Sequence, residues 1–162
     1  MIALWLGLPL ASASPPQMDS IYLVMVDRFS NGSGSNDGLI DPNKPQAFHG
    51  GDLIGLTQKL DAIEQIGVDT IWLTPITKMR TEPIAEHGAY HGYWVSNGRK
   101  LEPRFGTYSD LNVFRNALEQ RGIKLLLDIV LNHVGPDTPL TQTHAEWFRK
   151  NGDITDWADP VQ

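Results

Sequence analysis

Three short apolar runs punctuate the chain, and each gives way to polar residues. Ile21–Val26 ends at Asp27-Arg28, Thr70–Leu73 leads into Thr74-Pro75, and Lys124–Leu131 runs into Asn132-His133. Short aliphatic and β-branched runs of this kind read as strands buried on both faces. Between the first two, Leu53, Leu56, Leu60 and Ile63 recur at spacings of three and four, a helical face that Gly67 would stop. Between the second and third, Leu111, Phe114 and Leu118 repeat the pattern. Thr107-Tyr108-Ser109-Asp110 supplies a start resembling a capping box, and Gly122 a stop. The order β-α-β-α-β predicts an α/β fold with a parallel sheet and right-handed crossovers.

The connections are lopsided. Helix-to-strand links are two or three residues long (Gly67-Val68-Asp69 and Gly122-Ile123), whereas Asp27–Asp52 and Thr77–Gly106 are far longer than ordinary strand-to-helix links. Both long loops leave the carboxyl ends of strands, so a parallel sheet brings them out on one rim together with Asn132 and His133. That rim is where barrel and open α/β enzymes build their sites. Asp128 inside an apolar strand is itself an anomaly, because a desolvated carboxylate costs free energy unless it is paired.

Composition narrows the function. Hydrophobic residues make up 41% of 162, enough for a real core. A net charge of −6, with no run of Lys or Arg, excludes the clustered cations that nucleic acid binding requires. There is no cysteine, so disulfides and thiolate metal sites are excluded. Ile2–Leu10 is an apolar run followed by Ala11-Ser12-Ala13, which predicts a signal peptide over residues 1–13 and a periplasmic or extracellular protein. That run is too short to span a membrane, and no other segment could.

Three loop clusters carry candidate chemistry: Asp27-Arg28-Phe29-Ser30-Asn31-Gly32; His91-Gly92-Tyr93-Trp94 with Arg104-Phe105-Gly106-Thr107; and Asp128 with Asn132-His133. Aromatic rings suit the apolar C–H face of a pyranose, with side-chain donors nearby for its hydroxyls. His87 and His91 at a spacing of four could suggest zinc, but Gly88 and Gly92 argue against a helix there and no third ligand is near. Asn31–Gly38 is an oxygen-rich loop of the composition that hard cations such as calcium use.

Together with Phe48-His49-Gly50-Gly51-Asp52-Leu53, and in this order, these clusters closely resemble glycoside hydrolase family 13, the α-amylase superfamily, and especially its exported members. The resemblance runs from about Ile21 to Asp159. It implies the N-terminal portion of a (β/α)8 barrel, about three βα units over residues 14–131, with the start of the excursion domain after strand three over 132–162. It implies an α-glucan or maltooligosaccharide partner, with Tyr93 as stacking platform, Trp94 and His91 beside it, and His133 donating to sugar hydroxyls. Asp128 would organise the site rather than act as nucleophile.

Calcium is implied twice over: at Asn31, Asn36, Asp37, the carbonyl of Gly50 and Asp52, and at Asn132. The chain departs from the family pattern at Ser33, where exported members often carry Asn, and at Asn97, where an Asp is common. The family's nucleophile Asp and acid/base Glu follow strands four and five, and nothing after His133 resembles them. The chain is therefore expected to be a catalytically incomplete part of a retaining hydrolase or transglycosylase, completed by the C-terminal part of the barrel. The alternatives are a non-catalytic α-glucan-binding module and one half of a split enzyme.

Overall fold

A computed structural model describes residues 20–136 and 138–149. The segment read as a signal peptide, and the stretch from Lys150 onward, lie outside them. The fold is mixed α/β. Strands β1 (Ile21–Val24), β2 (Thr70–Leu73) and β5 (Lys124–Leu127) form a parallel sheet in the order β1-β2-β5. Ile21 pairs with Thr70 and Thr70 with Lys124. The crossovers are α2 (Leu53–Gln58) with α3 (Leu60–Ile66), and α4 (Tyr108–Gln120).

The predicted periodicities fold as helices. Leu53, Leu56, Leu60 and Ile63 are buried, but on two helices rather than one, because the chain breaks step at Lys59 (φ −102°, ψ 5°). Gly67 ends the second with its N–H on the Glu64 carbonyl. Helix α4 starts at the predicted capping box: Thr107 Oγ1 accepts from Asp110 N–H, and the Asp110 carboxylate accepts from Thr107 N–H at 2.7 Å. Phe114 and Leu118 seal it against the core formed by Leu53, Leu56, Ile71, Leu73 and Phe105. The two crossovers are also tied by Arg121, which reaches Asp61 at 2.5 Å and Glu64 at 3.3 Å.

Three expectations need correction. First, the opening run is a strand only to Val24; Val26–Phe29 is a helical turn, α1. Second, β5 stops at Leu127 rather than Leu131, since its partner β2 ends at Leu73 and the last ladder bond is Asp128 N–H to the Leu73 carbonyl. Third, the strands are not buried on both faces. Ile71 and Leu73 lie in the core, while Ile21, Leu23 and Leu126 on the opposite face are exposed, as is Leu127 at the end of the edge strand β5. No described helix is long and apolar enough to cross a membrane.

The long loop after β2 contains an antiparallel hairpin that the sequence pattern did not reveal. It pairs β3 (Thr77–Met79) with β4 (Val95–Leu101), with two register shifts. Its tip is a tight turn at Ile84–His87 in which Ala85 and Glu86 both take positive φ, 47° and 72°. Asn, whose amide can hydrogen-bond locally, and Gly, which has no Cβ, take positive φ at less cost than Ala and Glu. The double substitution Ala85→Asn/Glu86→Gly should raise stability by about 1 kcal/mol, seen as a higher thermal midpoint. An unchanged or lower midpoint would show that the turn carries no strain.

A helix α5 (Pro139–Thr143) follows β5. Next to it, His144 stacks on Trp147 with ring centroids 4.0 Å apart.

Candidate functional site

The carboxyl ends of β1, β2 and β5 place three polar segments on one rim. After β1, Asp27 is almost fully buried and accepts from the backbone N–H of His49 and Gly50, which pins the far end of the long loop to its start. Burial pushes its carboxyl up, against the pull of those amides and of Arg28. The Arg28 guanidinium lies 3.8 Å over the Tyr90 ring and donates to the Pro45 carbonyl.

The sugar-facing candidates meet at the head of the second loop. Gly92 has φ +92°, and a Cβ there would stand 2.2 Å from the Pro75 carbonyl oxygen, so only glycine lets the loop pass this close to the end of β2. Past it, the Tyr93 N–H donates to His91 Nδ1 at 3.0 Å, and the His91 and Tyr93 rings stack at 5.8 Å with 16° between planes. Trp94 meets His91 edge-on at 5.1 Å. The Tyr93 hydroxyl donates to Asp128 Oδ2 at 2.7 Å, and His133 Nε2 lies 3.0 Å from the Tyr93 carbonyl. Tyr93, His91, Trp94, Asp128 and His133 therefore form one cluster drawn from two loops.

Donor geometry fixes the tautomers. His91 Nδ1 accepts an amide proton, so the neutral ring carries its proton on Nε2. A carbonyl can only accept, so the neutral form of His133 carries its proton on Nε2.

Burial holds the His91 imidazole below its ordinary value of 6.5. The neutral form is thus favoured in the folded chain. That contribution to stability is complete above pH 6.5 and is lost as pH falls through 6.5 toward the lower folded value. Tyr93 shifts the other way: its hydrogen bond to Asp128, then burial and the carboxylate charge, raise the phenol above 10.0. Asp128→Asn should bring the Tyr93 phenol back toward 10.0 in an ultraviolet titration while His91 still titrates below 6.5 by NMR. An unmoved phenol would show that the two groups do not interact in solution.

The second candidate set lies in the loop after β1. Asn31 Nδ2 donates to Asp37 Oδ1 at 2.8 Å, and both converge on Gly50, where a Cβ would stand 2.6 Å from the amide nitrogen and 2.9 Å from the carboxylate oxygen. Asn36 donates to the Arg104 carbonyl at 2.8 Å and to Asp52 Oδ2 at 3.3 Å, while its own Oδ1 is buried with no partner among the described residues. Asp52 is fully buried and caps α2. Oδ1 accepts from the N–H groups of Gly55 and Gly32, and Oδ2 from Ser33 N–H and Asn36. Among the described residues no three His, Cys, Asp or Glu side chains converge.

The available donors are mainly amide and carbonyl oxygens with Asp37, a set that suits a hard cation rather than zinc. The orphaned Asn36 oxygen fits such an ion. Asp52 would join only by giving up its contact with Asn36. Asn132 is exposed, next to His133 in sequence. Asn97, at the position where the family often carries Asp, accepts from Arg99 N–H at 2.9 Å.

Sequence reasoning missed what joins the two sets. Arg104 Nε donates to the buried Glu102 at 2.6 Å, Glu102 also accepts from Met79 N–H, and the guanidinium sits 3.6 Å over Phe48. Phe48 meets Tyr90 edge-on at 6.4 Å, and Tyr90 meets His91 at 5.4 Å. Glu102-Pro103-Arg104 holds the signal, a carboxylate and a guanidinium two residues apart with the turn fixed by proline.

The family described as the alpha-amylase catalytic domain matches residues 23–160. The periplasmic alpha-amylase of Escherichia coli K12 is 38% identical over 128 residues, which cover 72% of this chain and 19% of that protein. Among solved structures, an Anoxybacillus alpha-amylase superposes with a TM-score of 0.78 at 42% identity, covering 87% of this chain and 30% of that one. An alpha-amylase from Geobacillus thermoleovorans, complexed with acarbose, gives 0.73 at 40% identity, covering 87% and 29%. The chain spans roughly an eighth to a quarter of the length of the curated relatives it matches.

Proposed function

Because the chain belongs to the alpha-amylase catalytic-domain family, we propose that it contributes one wall of an α-glucan site in a retaining hydrolase or transglycosylase. The observation that carries this reading is the Tyr93 cluster, an aromatic face with a hydroxyl, an imidazole and a carboxylate around it at strand ends. Tyr93 is the platform for the apolar face of a glucosyl unit, and Trp94 and His91 hold it in place. His91 Nε2–H and His133 reach sugar hydroxyls, His133 as a donor once its Nε2–H leaves the Tyr93 carbonyl. Asp128 orients the phenol and takes no part in bond cleavage. A retaining mechanism needs a nucleophilic carboxylate and a second carboxyl as acid and base, and other residues than these supply them.

On the same reading the sheet is the N-terminal part of a (β/α)8 barrel, with residues 14–131 in the barrel and 132–162 opening the excursion domain. The exposed face with Ile21, Leu23 and Leu126 would lie against further strands. Calcium would be held by Asn31, Asn36, Asp37, the Gly50 carbonyl and Asp52, with Asn132 serving a second ion; the charge it brings would brace the loops. Residues 1–13 would direct export to the periplasm or exterior, in keeping with the periplasmic relative.

The test is calorimetry and a reducing-sugar assay of the 162-residue chain with maltoheptaose. Binding without release of new reducing ends is expected. Turnover would overturn the assignment of the cleaving carboxylates to other residues, and absence of binding would overturn the platform.

A further inference from the structure

Behind the Tyr93 cluster, the two long loops enclose a half-open cavity of about 950 Å³, at the upper end of the roughly 300–1,000 Å³ usual for small-molecule sites. None of the five residues assigned to the Tyr93 cluster lines it. Its polar lining includes three carboxylates, Asp41, Glu82 and Glu86, and two ammonium groups, Lys44 and Lys78. Its floor is Phe48, under the Arg104 guanidinium that Glu102 neutralises, and its apolar edges are Leu39, Ile40 and Pro83. Leu39, 95% exposed, stands at its lip.

The charges decide the class of ligand. Three acids against two bases, on opposing loops, repel a strong anion and give a polycation no consistent field. Exposed charged groups around a largely apolar lining suit a guest that presents both hydroxyls and C–H faces. A neutral polyhydroxylated molecule meets both conditions. Carboxylates accept from pairs of hydroxyls, ammonium groups donate to ring and hydroxyl oxygens, and the apolar edges meet C–H faces.

We propose that this cavity is a second carbohydrate-binding groove for a short neutral α-glucan segment, distinct from the platform at Tyr93. The choice of an α-glucan rests on the proposed function above. Position adds to it: the floor residue Phe48 touches Tyr90, Tyr90 touches His91, and His91 stacks on Tyr93. One aromatic layer separates the two grooves, so a glucan held in one lies beside the other.

The test is an NMR titration of the ¹⁵N-labelled full chain with maltotriose, with inorganic phosphate as control. Two sets of moving amides are expected, one around Ile40, Thr81 and Glu86 and one around Tyr93 and His133. Lys44 and Glu82 lie exposed on the cavity wall, so Lys44→Ala/Glu82→Ala leaves the core intact. It should weaken the first set about tenfold, the effect of losing one to two charge-assisted hydrogen bonds, and leave the second set alone. Tyr93→Ala should do the reverse.

Movement confined to Tyr93 and His133 would overturn the second groove and leave the first intact. So would a cavity that responds to phosphate and not to sugar, or one indifferent to Lys44→Ala/Glu82→Ala. Movement in the cavity alone would uphold the second groove and remove the first.

Discussion

Replacing Asp52 by alanine should destabilise the chain by about 3–5 kcal/mol. The side chain is fully buried and accepts from Gly55, Gly32, Ser33 and Asn36. Losing a helix cap typically costs about 1 kcal/mol, and each buried donor left unpaired adds about 1–3 kcal/mol, less whatever water recovers. The loop from Asn31 to Asn36 is then no longer tied to the start of α2. Urea denaturation of wild type, Asp52→Ala and Asp52→Asn reads this directly. The Asn variant keeps one acceptor oxygen and should retain roughly half of the lost stability. A cost below about 1 kcal/mol for the alanine would mean that the loop and the helix are held together by something else.

The largest functional effect should come from Tyr93→Ala, which should weaken maltoheptaose binding about a hundredfold by calorimetry. The ring is an exposed platform stacked on His91 and fixed by its hydroxyl to Asp128. Removing it forfeits the apolar contact with the sugar and the ring geometry, together about 2–3 kcal/mol, and each 1.4 kcal/mol is tenfold. Tyr93→Phe keeps the face and loses only the anchor, so it should lie within about tenfold of wild type. Because Tyr93 is 36% exposed, neither change should unfold the chain, and circular dichroism should be unaltered. Wild-type affinity in Tyr93→Ala would remove Tyr93 from the site.

What the sequence revealed follows from where its signals are local. The helical faces at Leu53–Ile63 and Leu111–Leu118, and the capping box at Thr107–Asp110, depend on residues three or four apart, and each is present. The end of β5 depends on β2, fifty residues away, and Ile129–Leu131 stay apolar after the ladder has stopped. The β3–β4 hairpin was illegible because Val95–Leu101 includes Ser, Asn, Gly, Arg and Lys and carries two register shifts, which blurs any alternation.

At the site, the motifs pointed to Tyr93, His91, Asp128 and His133, and these four meet in space. Their bonding pattern was not readable, because it rests on the backbone turn at Gly92. Asp52 read as an ion ligand, although an Asp before Leu53-Ile54-Gly55 is also an ordinary N-cap. Only the three-dimensional loop shows that its oxygens already serve four donors.

The parallel register has a kinetic meaning as well. Each neighbouring pair in the sheet joins residues about fifty positions apart, so no strand finds its partner through a local turn. Loop-closure entropy must be spent before any pairing returns it, which places this sheet among slowly forming topologies. During synthesis, β1 leaves the ribosome long before Thr70–Leu73 exists to pair with it, and β2 waits again for Lys124–Leu127. Helix α4, with its own capping box, is the element best able to form while the sheet is still waiting.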